Sequence, residues 1–140
     1  MGNVEVNYLG VFLAMASSMV VGSIWYAKGV FGTEWAKMVK LTDKQMEQDA
    51  AKAIGVTVVV SLITAYVLAH VAFISNKFFG HSFLQDSLST AFWLWLGLTA
   101  ARMITHDAFE RRQTKLTVMN VAHEFVTIMV MGLIIGILKP

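Results

Sequence analysis

Four apolar runs, each about 20 residues long and set apart by short polar stretches, constrain this chain more than any other feature. They lie at about 6–27, 53–74, 86–106 and 116–138. A hydrocarbon core of ~30 Å takes ~20 residues of helix at 1.5 Å per residue. In lipid the backbone must satisfy its own polar groups, which leaves helix as the form for single runs of this length. The expected fold class is all-α: an integral membrane four-helix bundle of four transmembrane helices, forming one domain over 1–140. Only 14% of the residues are charged and 56% are hydrophobic, with a mean hydropathy of +0.62. A soluble domain carries about 25% charged residues. The first run lacks a basic leader, and no small-residue cleavage site followed by a soluble domain comes after it. It therefore reads as a span rather than a signal peptide.

The longest polar stretch, 28–52, is expected to hold a short interfacial helix over Thr33–Val39. Thr33 would cap it, and Trp35, Met38 and Val39 would face lipid. Thr42-Asp43-Lys44-Gln45 has the form of a capping box. A helix should start there and run on into the second span. Orientation follows from lysine and arginine. The 28–52 and 107–115 loops hold Lys28, Lys37, Lys40, Lys44, Lys52, Arg111, Arg112 and Lys115, and the opposite side holds only Lys77 and Lys139. Positive residues stay in the cytoplasm. Both termini are thus expected outside the cytoplasm, in a bacterial inner membrane. The basic residues follow the membrane and form no nucleic-acid stripe. Zero cysteines exclude disulfides and thiol chemistry.

Ionisable groups inside the runs are the candidate site. A charge at mid-bilayer costs at least ~2.5–3.5 kcal/mol, so it persists when paired, hydrated or useful. Arg102, His106 and Glu110 stand four apart and share one helix face, and Asn120, His123, Glu124 and Thr127 do the same on the next helix. The connection between them is short, so an Arg102–Glu124 ion pair is expected. One reading is a proton or anion relay in a transporter or channel. Another is a structural pair that fixes bundle register. A third, using His106, Asp107, Glu110, His123 and Glu124, is a metal site, but no Glu-x-x-His motif is present, and no metal or cofactor is expected. Tyr66 and His70, one turn apart, form a second polar site that could titrate or simply be satisfied locally. Trp25, Tyr26 and Trp35 read as an interfacial belt or as an aromatic wall for a ligand or headgroup. Trp93 and Trp95 read as packing or lipid-facing residues.

Small residues recur at every fourth position: Gly10, Ala14, Ser18 and Gly22; Ser61, Ala65 and Ala69; Gly97 and Ala101; Gly132 and Gly136. Such ladders let helices approach closely in lipid. They serve packing within one bundle, or one of them makes a homodimer.

The stretches Gly22-Ser23-Ile24-Trp25-Tyr26 and Phe31-Gly32-Thr33-Glu34-Trp35 resemble a bacterial membrane-protein family catalogued as domain of unknown function 1761. The resemblance continues through Ala65–His70, Trp93–Gly97, Phe109–Arg112 and Asn120–His123. Lys28 departs from the Ser-Pro-type turn of that pattern. The resemblance implies a small four-helix inner-membrane protein and carries no activity with it. No catalytic motif is present, so an enzyme is not expected. Two classes stay open. One is a homo-oligomeric transporter or channel for a small ion or molecule, with its relay near the cytoplasmic side. The other is a non-transporting membrane protein that binds a lipid or protein partner through 28–52. A reporter fused after Pro140 should be active only outside the cytoplasm; activity inside would reverse the orientation.

Overall fold

The computed structural model of the chain describes residues 3–140, which are almost entirely helical, with no strand among them. The elements are α1 (Tyr8–Trp25), α2 (Thr33–Val39), α3 (Asp43–Phe79), α4 (Phe83–Leu94), α5 (Ala101–Phe109) and α6 (Thr114–Leu138). Two π-helical segments, Lys28–Gly32 and Trp95–Ala100, lie between α1 and α2 and between α4 and α5. Three helices, α1, α3 and α6, are long and apolar enough to cross a membrane.

Each helix starts where local chemistry allows. Asn7 caps α1 by accepting from the Gly10 amide at 3.0 Å. Its own amide nitrogen donates to the Leu138 carbonyl at 2.7 Å. One side chain thus closes the start of α1 and the end of α6 and brings both termini to one end of the bundle. The capping box opens α3 as expected: Gln45 N donates to Thr42 Oγ1 and Thr42 N to Gln45 Oε1. At 37 residues, α3 is about 55 Å long, well beyond a ~30 Å hydrocarbon core.

α1 packs on α3 and α6, and α4 packs on the same two helices, so α1 and α4 occupy opposite corners. The core joins Val11, Ala14 and Met15 of α1 to Leu68 of α3, Ala91 of α4 and Met131 and Ile135 of α6. The small-residue ladders are used inside the chain. Gly10, Ala14 and Ser18 are buried on α1, and Ser61, Ala65 and Ala69 on α3. A Cβ on Gly132 would stand 2.8 Å from Ala91 Cβ, and one on Gly136 would stand 2.8 Å from Leu84 Cα. The Gly-x-x-x-Gly of α6 is therefore the seat of α4. Gly97 alone among the ladder glycines meets nothing within 4 Å.

The sequence reading needs correction at three places. The third run, expected as one regular helix over 86–106, contains the π segment Trp95–Ala100. A π turn holds one extra residue, which rotates everything after it by ~100°. The inward-facing residues show the shift: Ser87, Ala91 and Trp95 step by four, then the next is Ala100, five on, followed by Met103 and Asp107. Thr33 does not cap α2; its hydroxyl donates to the Lys28 carbonyl at 3.0 Å, and Gly32 holds the cap position without a side-chain bond. Trp35 does not face lipid; it is half-buried, with its ring 5.4 Å from that of Tyr26.

Gly136→Ala should lower stability by about 1–3 kcal/mol, since its new methyl meets backbone rather than a movable side-chain tip. Gly97→Ala, with open space around it, should leave stability unchanged or raise it. Denaturant unfolding in detergent compares the two.

Candidate functional site

Two stretches far apart in sequence meet at one end of the bundle. Trp25 and Tyr26 close α1, and the chain then turns through the π segment Lys28–Gly32. A Cβ on Gly32 would collide with the Tyr26 carbonyl, so only glycine lets the turn fold back this tightly. The amide of Gly32 donates to the Ala27 carbonyl at 3.0 Å. This turn sets α2 beside the end of α1. Opposite them, α6 presents Asn120, His123, Glu124 and Thr127.

His123 is the centre. Its ring lies 5.0 Å from the Tyr26 ring and 5.8 Å from the Trp25 ring. Trp25 in turn packs on Phe31 at 4.7 Å, and Tyr26 on Trp35. The ring nitrogens have polar neighbours at long hydrogen-bonding distance: Nδ1 is 3.4 Å from Glu124 Oε1, and Nε2 is 3.4 Å from Thr127 Oγ1. Gly22 leaves room beside Nε2, where an added Cβ would sit 3.7 Å away. Tyr26 Oη donates to Asn120 Oδ1 at 3.1 Å. The Trp25 indole nitrogen is buried and has no partner among the described residues. An unmet buried donor costs ~1–3 kcal/mol, so this one stands ready to donate to an acceptor.

This arrangement sets an imidazole and a carboxylate beside two aromatic rings. The His123 side chain is 14% exposed and that of Glu124 is 43% exposed. The carboxylate is therefore open to the outside, whereas the imidazole is walled by two aromatic faces. Beyond Thr127 the inward residues of α6 turn apolar, at Ile128, Met131 and Ile135.

The other expected site residues fall elsewhere. Arg102 and His106 are exposed on α5, and no ion pair joins Arg102 to Glu124 among the described residues. The π segment is the reason: regular counting turns Arg102 toward α6, and the extra residue turns Met103 there instead. Glu110 lies past the end of α5 and binds Arg112 Nε at 2.7 Å. His70 contacts the Tyr66 carbonyl of its own helix at 3.1 Å, and its ring lies 4.3 Å from that of Tyr66. Trp95 donates to the Val121 carbonyl at 3.1 Å, while Trp93 is exposed. No group of three or more histidines and carboxylates suited to a metal ion occurs among the described residues.

Two carboxylates are built into turns: Asp86, which sequence reasoning did not single out as a site residue, and Asp107, which it offered only as a metal ligand. Asp86, buried at the start of α4, accepts from Asn76 Nδ2 at 2.8 Å and His81 Nδ1 at 3.0 Å. Asp107, buried at the end of α5, accepts from Thr117 Oγ1 at 2.7 Å and lies 3.5 Å from Arg112 Nε. Both acids flank short connections beside polar donors, which was the available signal. Glu34 of α2 takes a hydrogen bond from Lys115 of α6 at 2.8 Å, with Lys37 at 3.7 Å. This tie was invisible in sequence because its partners are 81 residues apart.

The Lys115 hydrogen bond, with the charges of Lys115 and Lys37, holds the Glu34 carboxyl below its usual value. A depressed carboxyl stabilises the docked state above its unfolded pKa, and the effect fades as pH falls through the folded one. Hydrogen exchange of α2 amides should therefore quicken as pH drops below the ordinary carboxylate range, after correction for intrinsic rates. Lys115→Ala should remove most of that dependence.

No curated relative and no solved structure matches the chain. A family model described as "Protein of unknown function (DUF1761)" matches residues 9–136, which include the whole aromatic–histidine cluster. The chain belongs to that family of proteins of unknown function, DUF1761.

Proposed function

We propose that this is a four-span membrane protein that binds a lipid or protein partner through its 28–52 segment and conducts nothing. The fourth crossing is the unbroken helical run from Phe83 to Phe109, counting its π segment. Two ties support the topology. Asn7 and Leu138 meet at one end. Glu34 and Lys115 meet at the other, where eight of the eleven basic residues gather. That basic end faces the cytoplasm, and the family resemblance favours a bacterial inner membrane.

The observation that carries the binding reading is how 28–52 is held. The Tyr26–Trp35 contact and the Glu34–Lys115 bond fix α2 to the bundle. The first part of α3, up to Val60, then stands exposed as a capped, continuous helix. A rigid arm and a docked amphipathic helix at the headgroup level form a presenting surface. The His123 cluster lies at its root, where Tyr26 packs between His123 and Trp35 of α2. A conduit reading is less supported, because the polar track from Glu124 through His123 ends at Thr127 against the apolar core.

Pyranine-loaded proteoliposomes under an imposed potential test the choice. The expected outcome is proton flux no faster than in empty vesicles, for both wild type and Glu124→Gln. Wild-type flux abolished by Glu124→Gln in a folded protein would establish transport and overturn the binding reading. Photo-crosslinking from position 38 in intact membranes should give an adduct that Trp35→Ala removes; no adduct in the wild type would also count against it.

A further inference from the structure

Beside the π segment, α5 and α6 leave between them a groove of about 400 Å³, lined by Phe92, Trp95, Ile104, Val118, Val121 and Phe125. That volume is within the range of small-molecule sites. The lining is apolar almost throughout. Trp95, one wall, is fixed by its bond to the Val121 carbonyl and by Phe125 at 4.8 Å. Thr117, which also lines the groove, donates to Asp107, whose carbonyl accepts from the Arg112 amide, so the turn that joins α5 to α6 adjoins the groove.

The charges of the turn are unequally engaged. Arg112 is held by Glu110 at 2.7 Å and Asp107 at 3.5 Å, and Lys115 by Glu34 at 2.8 Å. Arg111 is exposed, has no acidic partner among the described residues, and sits at φ +55°. That left-handed backbone is uncommon for a residue with a side chain. An apolar slot with an unpaired guanidinium on the adjoining turn matches one chemistry: an acyl chain below an anionic phosphate.

We propose that the α5–α6 groove binds one anionic phospholipid of the surrounding bilayer, its acyl chain in the slot and its phosphate on Arg111. The site rests on the reading that Phe83–Phe109 crosses the membrane, and is distinct from the 28–52 surface. The planar fork of a guanidinium pairs with two oxygens of a phosphate better than ammonium does. The neutralised Arg112 and Lys115 act as scaffolding for the turn, which leaves Arg111 as the headgroup contact.

Native mass spectrometry of the purified full chain is the test, with phosphatidylglycerol and phosphatidylcholine of identical chains as probes. Wild type should retain phosphatidylglycerol over phosphatidylcholine by about fivefold, the worth of one basic residue at an anionic surface. Arg111→Gln should reduce that ratio to one. Val118→Trp, which fills the slot from an exposed position, should lose both lipids. Equal retention of the two lipids by wild type, or an unchanged ratio in Arg111→Gln, overturns the headgroup site. Undiminished retention in Val118→Trp overturns the slot, as does a dimer that Val118→Trp alone dissociates. If Val118→Trp fails to fold, the wild-type and Arg111→Gln ratios decide. Release of the protein from membranes by alkaline carbonate would mark failure of the four-span reading instead.

Discussion

The approach of α4 to α6 over Gly132 and Gly136 is the contact on which the rest of this structure depends. Between helices in lipid there is little hydrophobic drive, so association rests on close van der Waals packing and hydrogen bonds. Two missing side chains let the α4 backbone at Leu84 and Ser87 sit against α6. α6 then has its opposite flank free for α1, and α3 closes the square from the far side. Because α6 touches both neighbours, its residues set the register of the whole bundle. His123 inherits its position from that register, about two and a half turns from Gly132 and three and a half from Gly136 along the same helix.

The π segment Trp95–Ala100 works against regularity in the middle of the α4–α5 run. It lets Trp95 reach sideways to the Val121 carbonyl while Ala100, Met103 and Asp107 take the inward positions. The exposed guanidinium of Arg102 follows directly. It lies about two turns from the end of α5, roughly 10 Å by helical rise. In the proposed four-span topology, a long side chain at that depth can reach the headgroup region along the helix surface, which lowers the cost of its charge.

Polar groups are sorted along the bundle axis. The end that holds the termini is sealed by apolar packing of Val11, Leu68, Met131 and Ile135, with the Asn76–His81–Asp86 clamp securing its turn. The other end holds His123, Glu124, Asn120 and Tyr26, the Asp107 clamp and the Glu34–Lys115 tie. An arrangement that is dry in one half and polar in the other suits recognition at one membrane face. It also explains the aromatics: Trp25, Tyr26, Phe31 and Trp35 fill the space between α1, α2 and α6 and simultaneously wall the imidazole.

The sequence by itself determined where the long helical runs lie and how α3 starts. Length and hydropathy bound the long runs, and the Thr42–Gln45 capping box located the start of α3, because these are local effects of residues a few positions apart. The residue types of the site were legible too, since Trp25, Tyr26, Asn120, His123 and Glu124 are costly in lipid or typical of its boundary. What only the tertiary structure decided was their partners. Counting four residues per step carried Arg102 toward Glu124, and one extra residue in a π turn carried it away; no local signal announces that insertion. Trp35 looked lipid-facing by its own periodicity, yet the turn through Gly32 aimed it at Tyr26. Glu34 found Lys115 across most of the chain. Helix formation is settled by near neighbours and solvent, whereas pairing depends on rotation and packing summed over the whole bundle.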